Sequence, residues 1–175
     1  MTRRAWFGGL VAMTLATAAA ADDKAAPAAK NTGMDRVKKL AGAWVMADDK
    51  GKPTDKIVSE FKITANGSAV QETIFPGSDH EMVTVYHRDG QDVVLTHYCA
   101  LGNQPQMKLD PSGPASRLAF KFVGGSNIDP AKDMHMHEGT ITWVDDDHIT
   151  WQWAAYQNGK PLEDHKMALN LVRKK

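Results

Sequence analysis

The stretch Lys56-Ile-Val-Ser-Glu-Phe-Lys-Ile-Thr-Ala-Asn-Gly-Ser-Ala-Val-Gln-Glu-Thr-Ile-Phe75 decides the fold. Apolar and polar residues alternate on both sides of Asn66-Gly67, which is the period of a strand with one buried face. Asn-Gly between two such runs is a strong hairpin signal, because tight hairpin turns need positive φ. A two-residue turn there pairs Ile63 with Val70, Phe61 with Glu72 and Ser59 with Ile74. Directly paired residues share a face, so Ile57, Phe61, Ile63, Val70 and Ile74 form an apolar surface with Glu72 in its middle. A carboxylate is costly to bury there unless it is paired or protonated. A turn one residue longer would instead direct Glu72 to water.

The same rhythm runs through the rest of the chain. Candidate strands are 43–47, 56–64, 68–75, 81–88, 91–99, 105–109, 117–123, 135–144, 148–156 and 165–173. Between them lie Asp89-Gly90, Asn158-Gly159, Asp145–Asp147 and loops rich in Gly, Pro, Asn and Ser at 102–105 and 111–116. Ahead of the strands, Gly33–Leu40 sets Met34, Val37 and Leu40 on one side of a short helix. Short strands joined by turns, with no long helical pattern, predict an all-β fold. The expected architecture is a single antiparallel up-and-down barrel of about 8–10 strands spanning residues 33–175, since closure removes exposed sheet edges.

The N-terminal residues read as a leader. Met1-Thr-Arg-Arg4 is basic, Ala5–Ala20 is apolar, and Ala19-Ala20-Ala21 offers small residues for a signal peptidase. Residues 1–21 are therefore expected to be a signal peptide and 22–32, rich in Ala, Lys, Pro and Asp, a disordered linker. Thr2-Arg3-Arg4-Ala5-Trp6-Phe7 suits either a twin-arginine signal or an ordinary basic start. The apolar run is too short to hold the mature chain in a bilayer, where a span takes about 20 residues. An exported protein, periplasmic or secreted, is the expectation, with no membrane insertion after cleavage.

Without the leader, 19 Lys and Arg stand against 21 Asp and Glu, and no basic cluster remains to hold a phosphate backbone. Nucleic acid is thus not an expected partner. The one cysteine, Cys99, excludes an intramolecular disulfide. The remaining roughly 140 residues suit one domain stabilised by its apolar core.

The second hairpin carries the chemistry. With Asp89-Gly90 as its turn, Tyr86 pairs with Val93, Thr84 with Leu95, Met82 with His97 and His80 with Cys99. One face then holds His80, Met82, Thr84, Tyr86, Leu95, His97 and Cys99. Later in the chain His135 and His137 share a face. They point inward with Ile141 and Trp143 unless a bulge near Gly139 intervenes. Ile149, Trp151 and Trp153 share a face as well. Trp143, Trp151, Trp153 and Tyr86 are the expected walls of a pocket for an apolar or planar molecule, with Glu72, His80, His97, His135 and His137 as polar contacts. Equally, the rings could simply fill a small core.

Two other chemistries fit the same residues. His80, His97, Cys99, His135 and His137 are donors of the kind zinc or copper takes, although no Cys-x-x-Cys or His-Glu-x-x-His spacing is present. Cys99 with His80, or His97 with Glu72, could do nucleophilic or acid–base work. No orienting third group or oxyanion loop accompanies either pair.

Leu40-Ala41-Gly42-Ala43-Trp44 resembles the opening of lipocalin-like (calycin) barrels. The block Phe75–Pro105, with Asn66–Glu72 and His135-Met-His137, resembles a family of exported bacterial proteins described as lipocalin-like and without an established activity. That resemblance covers nearly all of the mature chain. It implies that Gly42 and Trp44 close one end of the barrel with Arg173 of the last strand across the ring. It also marks His80, His97, Tyr98, Cys99, Asn103 and Gln104 as site candidates.

Overall fold

The computed structural model describes residues 32–175. The leader expected over 1–21 and the linker expected over 22–32, apart from Thr32, lie outside the described residues. One short helix, α1 (Thr32–Lys38), precedes ten strands: β1 (Gly42–Ala47), β2 (Pro53–Thr64), β3 (Ala69–Ile74), β4 (Met82–Asp89), β5 (Asp92–Tyr98), β6 (Gln104–Leu109), β7 (Arg117–Ser126), β8 (His135–Trp143), β9 (His148–Gln157) and β10 (Lys160–Arg173). Each strand pairs with its chain neighbours and β1 pairs with β10, which closes an up-and-down antiparallel barrel.

The first hairpin has the register that its sequence demands: Ser59 lies opposite Ile74, Phe61 opposite Glu72 and Ile63 opposite Val70. Its turn is wider than two residues, since Thr64–Ala69 is the last pair and Ala65 and Asn66 both take positive φ. Widening the turn symmetrically leaves the pairing unchanged, so Glu72 stays on the inner face and is fully buried.

The second hairpin departs from expectation. Its turn is Gly90-Gln91 rather than Asp89-Gly90, so Tyr86 faces Leu95 and Thr84 faces His97. Gly90 takes the positive φ of 57° at the first turn position, where glycine is favoured. The partners move by two places, an even number, so Thr84, Tyr86, Leu95 and His97 stay on the inner face. Phe61, Glu72, Thr84 and His97 consequently form one lateral row across β2–β5.

One end of the barrel is closed. Met34 and Val37 of α1, with Leu40 just after it, join the core cluster that holds Trp44. Arg36 fastens the helix to the loop before β7 by donating from Nη1 to the carbonyls of Pro114 and Arg117, at 3.1 and 2.9 Å. Trp44 is fully buried and donates from Nε1 to the Leu40 carbonyl at 2.8 Å. The Arg173 guanidinium lies 4.3 Å from the centre of the Trp44 ring and donates to the carbonyls of Ala41 and Lys39. Gly42 takes φ 119°, a conformation that side-chain-bearing residues rarely adopt, while a Cβ there would make only an ordinary contact with Arg173 Nη1 at 3.4 Å. Gly42→Ala is expected to lower stability by about 1–2 kcal/mol in urea denaturation, chiefly through the forced positive φ.

Candidate functional site

The other end is open, and its shape follows from how the strands finish there. The chain leaves β3 at Phe75, whose φ of 52° is strained for a bulky side chain. That turn sets the Phe75 ring edge-on to Trp153 at 6.4 Å. Between β5 and β6 a tight loop forms as Cys99 N–H donates to Asn103 O and Gly102 N–H to Cys99 O. On the far side, the β9–β10 ladder loses register between Pro161 and Lys166, and Asp164, His165 and Lys166 border the opening.

These edges surround a cavity of about 270 Å³. Its walls are mostly apolar, with Ile74, Met82, Met136, Trp153 and Ala155 on the inner side and Leu101 and Met167 on the rim. Leu101 is 56% exposed and Met167 37%, both high for such side chains. Below Ile74, Met136 and Trp153, the barrel interior is filled. The remaining void beside Glu72 and Tyr86 measures about 20 Å³, space for roughly one water. The hollow is thus a mouth and not a through-cavity.

His97 is a buried polar group in the wall of the mouth. It is 2% exposed, and its Nδ1 is 2.9 Å from Thr84 Oγ1, the neighbour supplied by the lateral row. With Nδ1 occupied, Nε2 is the ring nitrogen left to meet a bound molecule. Burial depresses its pKa to about 4, so the imidazole is neutral at physiological pH. The site therefore offers a hydrogen bond without a charge.

Glu72 and Tyr86 do not reach the mouth. Ser59 Oγ donates to Glu72 Oε1 at 2.8 Å and Tyr86 OH to Oε2 at 2.6 Å, all inside the filled core. Desolvation raises the Glu72 pKa to about 7, against the lowering pull of those two hydrogen bonds. Burial, with the Glu72 charge beside it, also pushes the Tyr86 phenol well above its ordinary value. These groups support the sheet from within.

The other expected site residues divide by strand geometry. Trp153 is a wall of the mouth, whereas Trp151 is 5% exposed in the core and meets Trp153 edge-on at 4.2 Å. Trp143 sits at the closed end beside Arg36, Lys39 and Arg173, because β8 runs the barrel's length and ends there. His80 is solvent-exposed in the turn ahead of β4. The turn Phe75–Glu81, tied by Ser78 N–H to Phe75 O and Gly77 N–H to Glu81 Oε2, ends the sheet before His80 can pair with Cys99.

A bulge is present in β8 at His137 rather than at Gly139: Met136 pairs with Ala155 but Glu138 with Ala154. The extra residue reverses the alternation. Met136 joins Ala155 on the wall of the mouth, while the His135–Tyr156 pair shifts to the other parity. His135 is fully buried and still touches the edge of the cavity. Its Nδ1 must donate to the Asp133 carbonyl at 2.9 Å, so Nε2 accepts and His137 Nδ1 donates to it at 3.0 Å. Stacking on Tyr156 at 3.8 Å fixes the His137 ring, and burial lowers its pKa. The two histidines satisfy each other.

His97, Cys99 and His135 thus border one cavity, and His80 and His137 do not. Among the described residues, no three His, Cys, Asp or Glu side chains come together as a metal site. Sequence reasoning missed Leu101, Met134, Ala155, His165 and Met167. Leu101 comes with the loop between β5 and β6, and the others with the β8 bulge and the lost β9–β10 register, which leave no compositional signal.

No protein-family model matches the chain, and no curated protein matches it.

Proposed function

We propose that this chain is an exported carrier of a small, compact molecule, largely apolar or planar, held in the open end of the barrel. The observation that carries the reading is the mouth cavity of about 270 Å³ with apolar walls and a neutral, buried His97. That volume is at the lower edge of small-molecule sites, which run from about 300 to 1,000 Å³, so the ligand is smaller than drug-sized. The flat Trp153 ring favours an unsaturated or planar body, and His97 Nε2 favours one polar end directed inward.

The leader-like residues Met1–Ala21 and the resemblance to exported lipocalin-like proteins support export and membership of that family. The outer face agrees with a barrel surrounded by water: Glu60, Lys62, Lys121 and Gln152 are exposed there. A lipid-facing barrel would carry an apolar band in their place.

Ala155→Phe tests the reading, since Ala155 is 7% exposed and its methyl faces the cavity. The added ring is expected to occupy the mouth and to weaken binding of a fluorescent apolar probe at least tenfold, with far-UV circular dichroism unchanged. Equal probe binding by the wild type and this variant would remove the mouth as the binding site.

A further inference from the structure

We infer that the mouth also binds a soft monovalent metal ion, Cu(I), through methionine sulfur. The inference shares the cavity with the proposed carrier function but does not depend on an organic ligand.

Four of the chain's nine methionines, Met82, Met134, Met136 and Met167, border this one opening, and the single cysteine, Cys99, borders it with them. They arrive from separate parts of the sheet. Met82 opens β4, Met134 immediately precedes β8, Met136 lies within it, and Met167 is on β10. In the barrel order, β4 lies across the opening from β8 and β10, so these methionines border it from opposite walls. An apolar wall alone gives no reason for sulfur in particular, because leucine fills the same space with better-defined rotamers.

His97 adds a nitrogen donor independently of the sulfurs. Its ring is buried and borders the cavity, and with Nδ1 held by Thr84 Oγ1, Nε2 is the nitrogen left for a ligand. An outer partner on one ring nitrogen with the other left for the ion is the usual arrangement of a metal-bound histidine. The donor set selects the metal. Thioether, thiol and imidazole suit Cu(I), whereas Zn(II) takes imidazole, thiolate and carboxylate in groups of three or four. No such group forms among the described residues. The flexibility of methionine lets four side chains of differing reach close around one ion.

The test is a titration of the untagged full chain with Cu(I) under anaerobic conditions, against a chromophoric Cu(I) chelator. One equivalent is expected to bind with a Kd well below micromolar and to stay bound in excess Zn(II). Met82→Leu with Met136→Leu conserves volume closely and should preserve the fold. This double variant is expected to weaken Cu(I) binding at least tenfold with far-UV circular dichroism unchanged. If it fails to fold, Met134→Leu with Met167→Leu at the rim carries the same expectation. Two results would overturn the inference: wild-type binding no tighter than micromolar, or Cu(I) affinity unmoved by the methionine changes. If Cu(I) binds and the probe does not, the carrier reading fails and the metal site stands.

Discussion

Glu72→Gln is expected to stabilise the barrel by about 2–3 kcal/mol near pH 8 and to change it little at pH 4.5. The carboxyl titrates near 4.5 in the unfolded chain and at about 7 in the barrel, where desolvation favours its neutral form. Below 4.5 both states hold the proton and the side chain contributes fully. From 4.5 to 7 only the folded state holds it, so stability falls as pH rises, by about 1.4 kcal/mol per pH unit or about 3 kcal/mol in all. Glutamine imitates the protonated acid between Ser59 and Tyr86 and removes that loss.

His97 has the opposite dependence. Its pKa falls from 6.5 to about 4 on folding, so stability is complete above 6.5 and is lost as pH drops toward 4. Between 4.5 and 6.5 the two slopes cancel, and the wild-type barrel should show a nearly level stability there. Glu72→Gln exposes the acid-side loss due to His97. Urea denaturation at half-unit pH steps would show it, and a variant less stable than wild type at pH 8 would contradict the buried, neutral-favouring setting of Glu72.

The second large effect belongs to the closed end. Trp44→Ala is expected to destabilise the protein by about 4 kcal/mol, within the range for removing a fully buried large ring. The loss also deprives Arg173 of the ring beneath its guanidinium and leaves α1 above a void. Against total stabilities of roughly 5–15 kcal/mol, such a variant stands at the margin of folding. Thermal melts should show a fall in Tm of many degrees. Apolar probe binding at 10 °C should persist in whatever fraction stays folded, since the mouth is at the opposite end. Probe binding lost in a fully folded variant would mean that the two ends are coupled.

The barrel was legible in the chain because alternation and turn chemistry are local. Asn66-Gly67 alone determined the β2–β3 register, and parity placed Tyr86, Leu95 and His97 inside even though the Asp89-Gly90 turn lies one residue further on. The row Phe61–Glu72–Thr84–His97 follows from those two hairpins together. The site was less legible. Whether Trp151 fills the core or lines a pocket depends on side-chain volumes across strands far apart in sequence, which no local period records. His135 and Met136 exchanged parity because of one inserted residue, and His80 fell outside the sheet because β4 begins at Met82. The Gly42, Trp44 and Arg173 arrangement came from resemblance, and the geometry of the closed end gives it a physical basis.

Pairing of β1 with β10 joins residues about 130 positions apart, Trp44 with Arg173 and Met46 with Leu171. Every other rung links neighbours in the chain. Hairpins can therefore form in succession as the polypeptide lengthens, yet the ribbon keeps two bare margins until its final strand is present. Completion is a single late zippering event at the seam. A copy shortened by the last ten residues, ending at His165 and lacking the Lys166–Val172 pairings, should persist as a sticky open sheet that self-associates instead of a slightly weakened monomer.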